Sequence, residues 1–197
     1  YNIIKKARTE MKLKNIFLHF KKICVHKYWV GYYCFKAGLY WQGIIHDLSK
    51  FSPTEFWEGV KYYQGFSSPI DASKKANGYS KAWFHHRGRN LHHYEYWQDN
   101  FDKGGNPVMI PQKYAIEMFC DYIGAAKAYQ GKDFSFKDEL EWWNKKKSNR
   151  IAMHPQTKEF IDEMMRACAR HGEKVINKNY MNAVFSHALV KVGFCNK

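Results

Sequence analysis

The sequence predicts an all-α protein with a single domain, and three observations lead to that prediction. Apolar residues recur at intervals of three and four over several long segments, which is the period of an amphipathic helix. No segment shows the sustained alternation of apolar and polar residues that marks a half-buried strand. The chain has 197 residues, 45% of them hydrophobic and 18% aromatic, which is long enough for one core and short for two.

Capping and turn residues place the individual helices. The clearest start is Ser52-Pro53-Thr54-Glu55, in which Ser52 is the N-cap, Pro53 occupies the first turn and Glu55 completes a capping box. Residues 64–79 are rich in Gly, Ser, Pro and Lys, which predicts a surface loop or a flexible lid. The predicted helices are 9–38, as one helix or two, 39–47, 53–63, 111–129, 136–149, 155–171 and 177–192; the domain spans 1–197, with a core at 9–171 on which the last helix packs.

The first helix is predicted from apolar residues that recur every three or four positions, namely Leu13, Ile16, Phe17, Phe20, Cys24, Tyr28 and Tyr32. Two histidines of this helix, His19 and His26, lie seven residues apart and therefore share a face. We interpret His19 as structural. His26 is a candidate metal ligand, and the alternative is a histidine satisfied by hydrogen bonds on an amphipathic helix.

The charge balance restricts the partners of the protein. Thirty-two Lys and Arg against eighteen Asp and Glu give a formal net charge of +14. This charge favours a polyanionic partner such as a nucleotide, a nucleic acid or an anionic surface. The alternative is a soluble surface rich in lysine, since the charges are spread along the chain.

The cysteine pattern and the hydropathy pattern bear on the compartment. Five cysteines without a C-x-x-C spacing indicate reduced thiols rather than a disulfide framework or a structural zinc site, so we expect a cytoplasmic protein. There is no run of about 18 uncharged apolar residues, and we expect neither a spanning helix nor a membrane partner.

The stretch Ile45-His46-Asp47 brings two metal-ligand residue types together. An imidazole nitrogen and a carboxylate oxygen on adjacent residues can bind one cation, and the second carboxylate oxygen can bridge to another. The alternative is a polar helix end in which Asp47 caps the turn. Lys50 follows three residues later, where it either reaches a phosphate oxygen as a point charge or is solvated.

Further candidate ligands come from a histidine-rich segment and from a later helix. Four histidines fall within nine residues, as the doublets His85-His86 and His92-His93, and Gly88 and Asn90 are expected to turn the second doublet back toward the first. Either member of each doublet can be a ligand, and we favour His86 and His92. Asp121 lies among apolar neighbours, where a cation would compensate a buried carboxylate.

Together these residues predict a metal site. Imidazoles and carboxylates without thiolates suit one or two divalent ions of Fe, Mn, Zn, Ni or Co, and a pair of ions would share Asp47 and polarise a bridging water. The predicted ligands are His26, His46, Asp47, His86, His92 and Asp121. We assign catalytic roles to Asp47, Lys50, His85 and His93. We expect the substrate phosphate to be bound by Lys50, Arg87 and Arg89. Glu55 is interpreted as a helix cap, with support of a metal ligand as the alternative, and Glu117 as a surface charge.

The order of these elements resembles the HD-domain superfamily of metal-dependent phosphohydrolases. His46-Asp47-Leu-Ser-Lys50 is similar to the His-Asp-x-x-Lys form of the cyclic-dinucleotide phosphodiesterase branch, in which the lysine contacts substrate phosphate. The Gly-Tyr-Pro signature of that branch is absent, so its substrate is not implied. The resemblance to the superfamily implies a helical bundle with the metal site in its centre.

A closer resemblance is to a small, functionally uncharacterised HD-like family of bacteria and their phages. The residues that carry it are His46-Asp-Leu-Ser-Lys-Phe-Ser-Pro-x-Glu-Phe56, His85-His86-x3-Asn90-x-His92-His93-x-Glu-Tyr-Trp97 and Met153-His154-Pro155-x-Thr157. This resemblance covers about residues 26–165 and implies membership without implying a substrate.

Three functions follow as hypotheses. The first is a metal-dependent phosphohydrolase that acts on a nucleotide or another small phosphate ester or anhydride through a metal-activated water. The second is an HD-type di-iron oxygenase, because the same ligand types suit a pair of irons. The third is a non-catalytic module that binds a nucleotide or a nucleic acid through the net positive charge.

Overall fold

A computed structural model describes the backbone of residues 2–148 and 151–195 and the side chains of residues 13–146 and 151–193. The helices are α1 Asn2–Lys36, α2 Tyr40–Ile45, α3 Pro53–Lys61, α4 Pro69–Asn77, α5 Lys81–Arg87, α6 Gln112–Gln130, α7 Phe136–Ser148, α8 Pro155–His171 and α9 Lys178–Cys195. The strands β1 Gln98–Asp99 and β2 Asn106–Pro107 form an antiparallel pair in which Gln98 lies opposite Pro107. The predicted all-α fold class is confirmed.

The hydrophobic core lies between α1, α6, α7, α8 and α9. Phe119 of α6, Trp143 of α7 and Phe160 of α8 are fully buried within it. Helices α1 and α6 pack against each other at Gly124, where a Cβ atom would lie only 2.5 Å from Val30 Cγ2. Because glycine has no side chain, the two helices can approach this closely. The contact lies one turn away from the candidate ligands on both helices.

The apolar residues that predicted α1 do not lie on its buried face. Phe17 and Tyr28 are 66% and 64% exposed. The buried face instead carries His19, Ile23, His26, Val30, Tyr33, Cys34 and Ala37. The period of the pattern therefore predicted the helix, whereas the side of the helix that packs is the one with histidines.

The prediction of a loop or lid at residues 64–79 agrees with the loop at 64–68 but was wrong for Pro69–Asn77, which forms α4. Ser68 is the N-cap of α4 and its hydroxyl accepts a hydrogen bond from the Ile70 N–H, and Pro69 occupies the first turn. Gly78 ends the helix with φ +79°. A nine-residue helix defined by its caps leaves no periodic signal, since it offers few apolar side chains to the core.

Other boundaries differ by a few residues. The two-residue strands are too short to produce an alternating pattern, and α9 ends at Cys195 rather than at residue 192. The predicted end of α7 at Asn149 lies outside the described residues. Among the described helices, none combines the length and the hydropathy needed to span a bilayer. The cysteines whose side chains the structure describes are free thiols, namely Cys24, Cys34, Cys120 and Cys168.

Candidate metal centre

Four parts of the chain bring histidine and carboxylate side chains to one buried point. α1 contributes one histidine, the end of α2 contributes a histidine and an aspartate, α5 and the turn after it contribute three histidines, and α6 contributes an aspartate. These residues are His26, His46, Asp47, His86, His92, His93 and Asp121. His46 and Asp47 are each 1% exposed, so these two side chains are almost entirely removed from bulk solvent.

An unusual backbone aims His46 and Asp47 at the same point. α2 ends at Ile45, His46 adopts extended ψ 127°, and Asp47 then takes the left-handed conformation with φ 54° and ψ 26°. This conformation costs a residue with a side chain about 1–2 kcal/mol, although aspartate tolerates it better than most. As a result His46 Nε2 lies 3.3 Å from Asp47 Oδ2.

A first cluster of possible ligand atoms surrounds Asp47 Oδ2. His26 Nε2 lies 3.0 Å from this oxygen and 3.2 Å from Asp121 Oδ1. His46 Nε2 lies 3.4 Å from the same Asp121 oxygen. One nitrogen or oxygen from each of these four residues falls within 4.8 Å of all the others, which is compact enough to hold a single ion.

A second cluster surrounds the other oxygen of the same carboxylate. His86 Nε2 and His92 Nε2 each lie 3.4 Å from Asp47 Oδ1. His93 completes this group within the same 4.8 Å limit. Asp47 therefore faces one cluster with each of its oxygens, which is the arrangement that a bridging carboxylate requires.

Several atoms at this point are buried without a hydrogen-bond partner among the described residues. They are His46 Nε2, Asp47 Oδ1, His92 Nε2 and His93 Nε2. A buried polar atom without a partner costs about 1–3 kcal/mol. All four are atoms that coordinate a divalent ion in proteins, so the donor set fits a metal and a metal would remove the cost.

Two glutamates orient the histidines from behind. Glu117 Oε1 lies 2.9 Å from His46 Nδ1 and 3.2 Å from His92 Nδ1, and Glu55 Oε2 lies 2.7 Å from His86 Nδ1. When Nδ1 donates to a carboxylate, the lone pair of Nε2 is free for a metal ion. The geometry thus assigns Nε2 as the ligand atom of three histidines.

The interpretations of Glu55 and Glu117 need correction. Glu117 is 5% exposed rather than a surface charge. The predicted N-cap at Ser52 is present, because its hydroxyl accepts from the Glu55 N–H, but the Glu55 carboxylate contacts histidines. The position of Glu117 four residues before Asp121, and so on the same face of α6, is the sequence signal that points to it.

The two histidine doublets meet as expected. α5 ends at Arg87, and Asn90 Nδ2 donates to the His86 carbonyl and to Ser49 Oγ, both at 2.8 Å. The His86 and His93 ring centroids are then 4.8 Å apart. His85 lies outside these groups, with its Nδ1 2.6 Å from Glu55 Oε1.

Electrostatics keep the carboxylates of the centre ionised. Burial alone would raise the pKa of Asp47, but the neighbouring His46 and Lys50 hold it well below its ordinary value. Lys50 Nζ lies 2.5 Å from Asp47 Oδ2. Burial opposes the charge of Lys50, yet the Asp47 and Asp121 carboxylates outweigh burial and raise its pKa. Metal ligation requires the ionised carboxylate that this arrangement provides.

A cavity of about 220 Å³ adjoins the centre. Its wall includes the ligand candidates His26, His86, His93 and Asp121 together with residues of α1, α3, α4, α5 and α6. The cations in the wall are Lys22 and Lys50. Sequence reasoning missed Lys22, because a lysine on a long helix gives no signal of the side it faces.

The structure does not bring the two predicted phosphate-binding arginines to this cavity. The Arg87 guanidinium lies 4.9 Å from the Phe84 ring centroid. Arg89 is exposed and donates to the His85 carbonyl at 3.4 Å. Neither side chain belongs to the cavity wall.

Fold and site together define an all-α protein with a buried cluster of histidines and carboxylates suited to a metal ion. The model of a family of unknown function, DUF5662, matches residues 15–167, and the chain belongs to this family. The matched range includes every candidate ligand. No curated protein and no solved structure matches the chain.

Proposed function

We propose that this protein is an HD-type, metal-dependent phosphohydrolase that acts on a small phosphate ester or anhydride. The main support for the proposal is the position of Asp47. Each of its two carboxylate oxygens faces a different cluster of histidine nitrogens. Two ions held in this way, a few ångströms apart, are a common arrangement in phosphate-ester hydrolysis. The order of the elements along the chain, which resembles that of the HD superfamily, supports the same class.

The donor set favours Fe, Mn, Zn, Ni or Co. It contains imidazoles and carboxylates, and none of the described cysteine thiols lies in either cluster of candidate ligands. Such ions supply a water that is deprotonated near neutral pH and an electrophilic contact for a phosphoryl oxygen. His26, His46, Asp47 and Asp121 would hold one ion, and Asp47, His86, His92 and His93 the other.

The protein's own groups would position the substrate. Lys50 lines the cavity and its ammonium, held beside Asp47, neutralises phosphate charge. Glu55 and Glu117 fix the ring orientation of the ligand histidines. His85 acts through Glu55 rather than on the substrate, because its ring is outside the cavity wall.

The size of the cavity favours a compact substrate. Its volume of about 220 Å³ is below the roughly 300–1,000 Å³ typical of sites that enclose a drug-sized ligand. A small phosphate ester therefore fits better than a whole nucleotide, whose base would remain outside. A nucleotide stays the alternative if only its phosphate enters.

The test combines metal analysis with phosphate release. We expect protein purified without added metal to contain transition-metal ions, and the Mn²⁺- or Fe²⁺-loaded protein to release phosphate from small esters. His46→Ala should lose both properties, with activity down at least about 100-fold. His187→Ala is the matched control, because this histidine is largely exposed on α9.

Two outcomes would overturn the proposal. One is metal-loaded wild type that turns over no phosphate ester or anhydride. The other is His46→Ala with wild-type activity. Oxygen consumption by an iron-loaded protein without phosphate release would favour the oxygenase hypothesis, and salt-sensitive nucleic-acid binding without turnover would favour the binding module.

A further inference from the structure

The cavity extends away from the metal centre along α1. His26, Lys22 and His19 follow one another on this helix and all line the cavity. With a rise of 1.5 Å per residue, Lys22 and His19 lie about 6 Å and about 10 Å from His26 along the helix axis. The cavity thus has a metal end and a distal end.

The distal end carries a cation that the proposed chemistry does not use. Lys22 Nζ donates to the Ala128 carbonyl at 2.9 Å and lies 4.7 Å from the Tyr129 ring centroid. These contacts fix the ammonium in place, and partial burial lowers its pKa. No carboxylate within the described side chains pairs with Lys22, whereas Lys50 is paired with Asp47.

The nearby carboxylates already have partners. Glu58 Oε1 accepts from Ser73 Oγ at 2.9 Å and from Ser80 Oγ at 2.5 Å. Glu55 contacts His85 and His86. The partners of Glu58 are neutral hydroxyls, so its charge also remains in the wall, but neither glutamate forms an ion pair with Lys22 within the described side chains. An anionic group of a ligand would pair with this ammonium.

A neutral imidazole closes the distal end. His19 is 8% exposed, and burial together with Lys50 lowers its pKa to about 4. Its ring fits against Gly59, where a Cβ atom would lie 2.1 Å from His19 Nε2. No described group makes a hydrogen bond to His19 Nδ1. This end therefore adds polarity and a fixed wall but no second positive charge.

Apolar groups also line the cavity, namely Ile23, Pro69, Ile70 and Ala125. A ligand that contacts both the metal centre and Lys22 would therefore combine two polar groups with a short apolar segment.

We propose that the cavity selects a small organic phosphate with a second anionic group, a carboxylate or another phosphate, which binds Lys22 while the first phosphate lies at the metal centre beside Lys50. This inference rests on the proposed function. Its physical basis is an ammonium without an ion-pair partner among the described side chains, held in the cavity wall about 6 Å along α1 from the ligand candidate His26.

The test compares matched substrates. The probes are propyl phosphate, 3-phosphonooxypropanoate and propane-1,3-diyl bisphosphate, which differ in the second anionic group alone. We expect wild type to prefer the probes with two anions by about 10-fold or more in kcat/KM, because a charge-assisted hydrogen bond contributes that much. The better of the two identifies the second group as carboxylate or phosphate.

The variants are Lys22→Met and its control Lys21→Met. Both remove one lysine from α1, but Lys21 is exposed and lies outside the cavity wall. Lys22→Met should raise KM about 10-fold or more for the probes with two anions and change propyl phosphate less than about 2-fold. Lys21→Met should retain the wild-type preference.

The inference fails if Lys22→Met affects all three probes equally, or if wild type shows no preference. Calorimetric binding of the same probes to metal-loaded protein keeps it testable without turnover. A preference for two anions that Lys22→Met abolishes would support the binding site even if the hydrolase proposal failed, and equal binding of all probes would overturn it.

Discussion

Helix α1 has two faces of opposite character. The buried face carries His19 and His26 beside Ile23, Val30 and Tyr33. The exposed face carries large apolar side chains, among them Leu13, Phe17, Phe20 and Tyr28, which are 47–66% exposed. The protein therefore buries a face that carries two histidines and leaves several large apolar side chains in solvent.

The difference shows that the neighbours of a helix, rather than its own hydropathy, decide which face is buried. The histidine face packs on α6, where Gly124 allows close approach and Asp121 offers a partner to His26. On the exposed face, Phe20 and Phe51 lie 5.8 Å apart between ring centroids. That contact covers only part of each ring.

The largest expected effect comes from comparing one substitution on each face of α1. His26→Ala should lose the first-cluster metal and reduce phosphate release at least about 100-fold, because one of its two imidazole ligands is gone. Tyr28→Ala, two residues along on the exposed face, should retain metal and activity. Metal content by mass spectrometry and an activity assay check both. Equal metal content in the two variants would contradict the assignment of His26.

A smaller effect is expected behind the ligands. Glu117→Gln keeps the shape of the side chain but removes the charge that orients His46 and His92. Metal affinity should fall about 10–100-fold. Titration with a competing chelator measures the metal affinity. The control is Glu163→Gln, because Glu163 pairs with the exposed His187. Unchanged affinity would show that Glu117 does not act on the ligands.

The packing of the buried face gives the next prediction. Gly124→Ala should destabilise the protein by about 1–3 kcal/mol, because the added Cβ would lie 2.5 Å from Val30 Cγ2 and 2.8 Å from the Val30 backbone nitrogen. Gly193→Ala on α9 meets no atom within 4 Å and should be neutral or slightly stabilising. Urea unfolding of both variants gives the comparison, and equal midpoints would rule out the close contact.

The smallest effect is expected on the exposed face. Phe17→Ser should change the free energy of unfolding by no more than about 0.5 kcal/mol, since the side chain is mostly in solvent. Thermal unfolding of Phe17→Ser beside wild type measures this change. A loss above about 2 kcal/mol would mean that the exposed face is covered in solution.

The sequence predicted the parts of the molecule that depend on local signals. The helix starts at Ser52-Pro53 and at residue 155 were predicted, and both have an N-cap, because the Ser52 hydroxyl accepts from the Glu55 N–H and His154 Nδ1 accepts from the Gln156 N–H. The six predicted ligands are brought together in the structure, although their binding of metal stays a prediction. The turn at Asn90 was visible from its breaker residues.

The missed features depend on contacts between distant segments. Glu55 and Glu117 are read as caps or surface charges until the partners 31 and 71 residues away are known. The same holds for Lys22, whose carbonyl partner lies 106 residues away. Arg87 and Arg89 show the opposite error. They were predicted to bind phosphate because they are close in sequence to the candidate ligand histidines, but their side chains do not line the cavity.

At position 47, the left-handed backbone and the proposed metal site favour different residues. Glycine would relieve the conformation and remove a buried carboxylate, and asparagine would keep the local hydrogen-bonding capacity without the charge. A library randomised at residue 47 and selected for solubility alone should therefore enrich glycine and asparagine. Selection for a metal-dependent phenotype should return aspartate, so the two selections would separate what this residue contributes to the fold from what it contributes to the site.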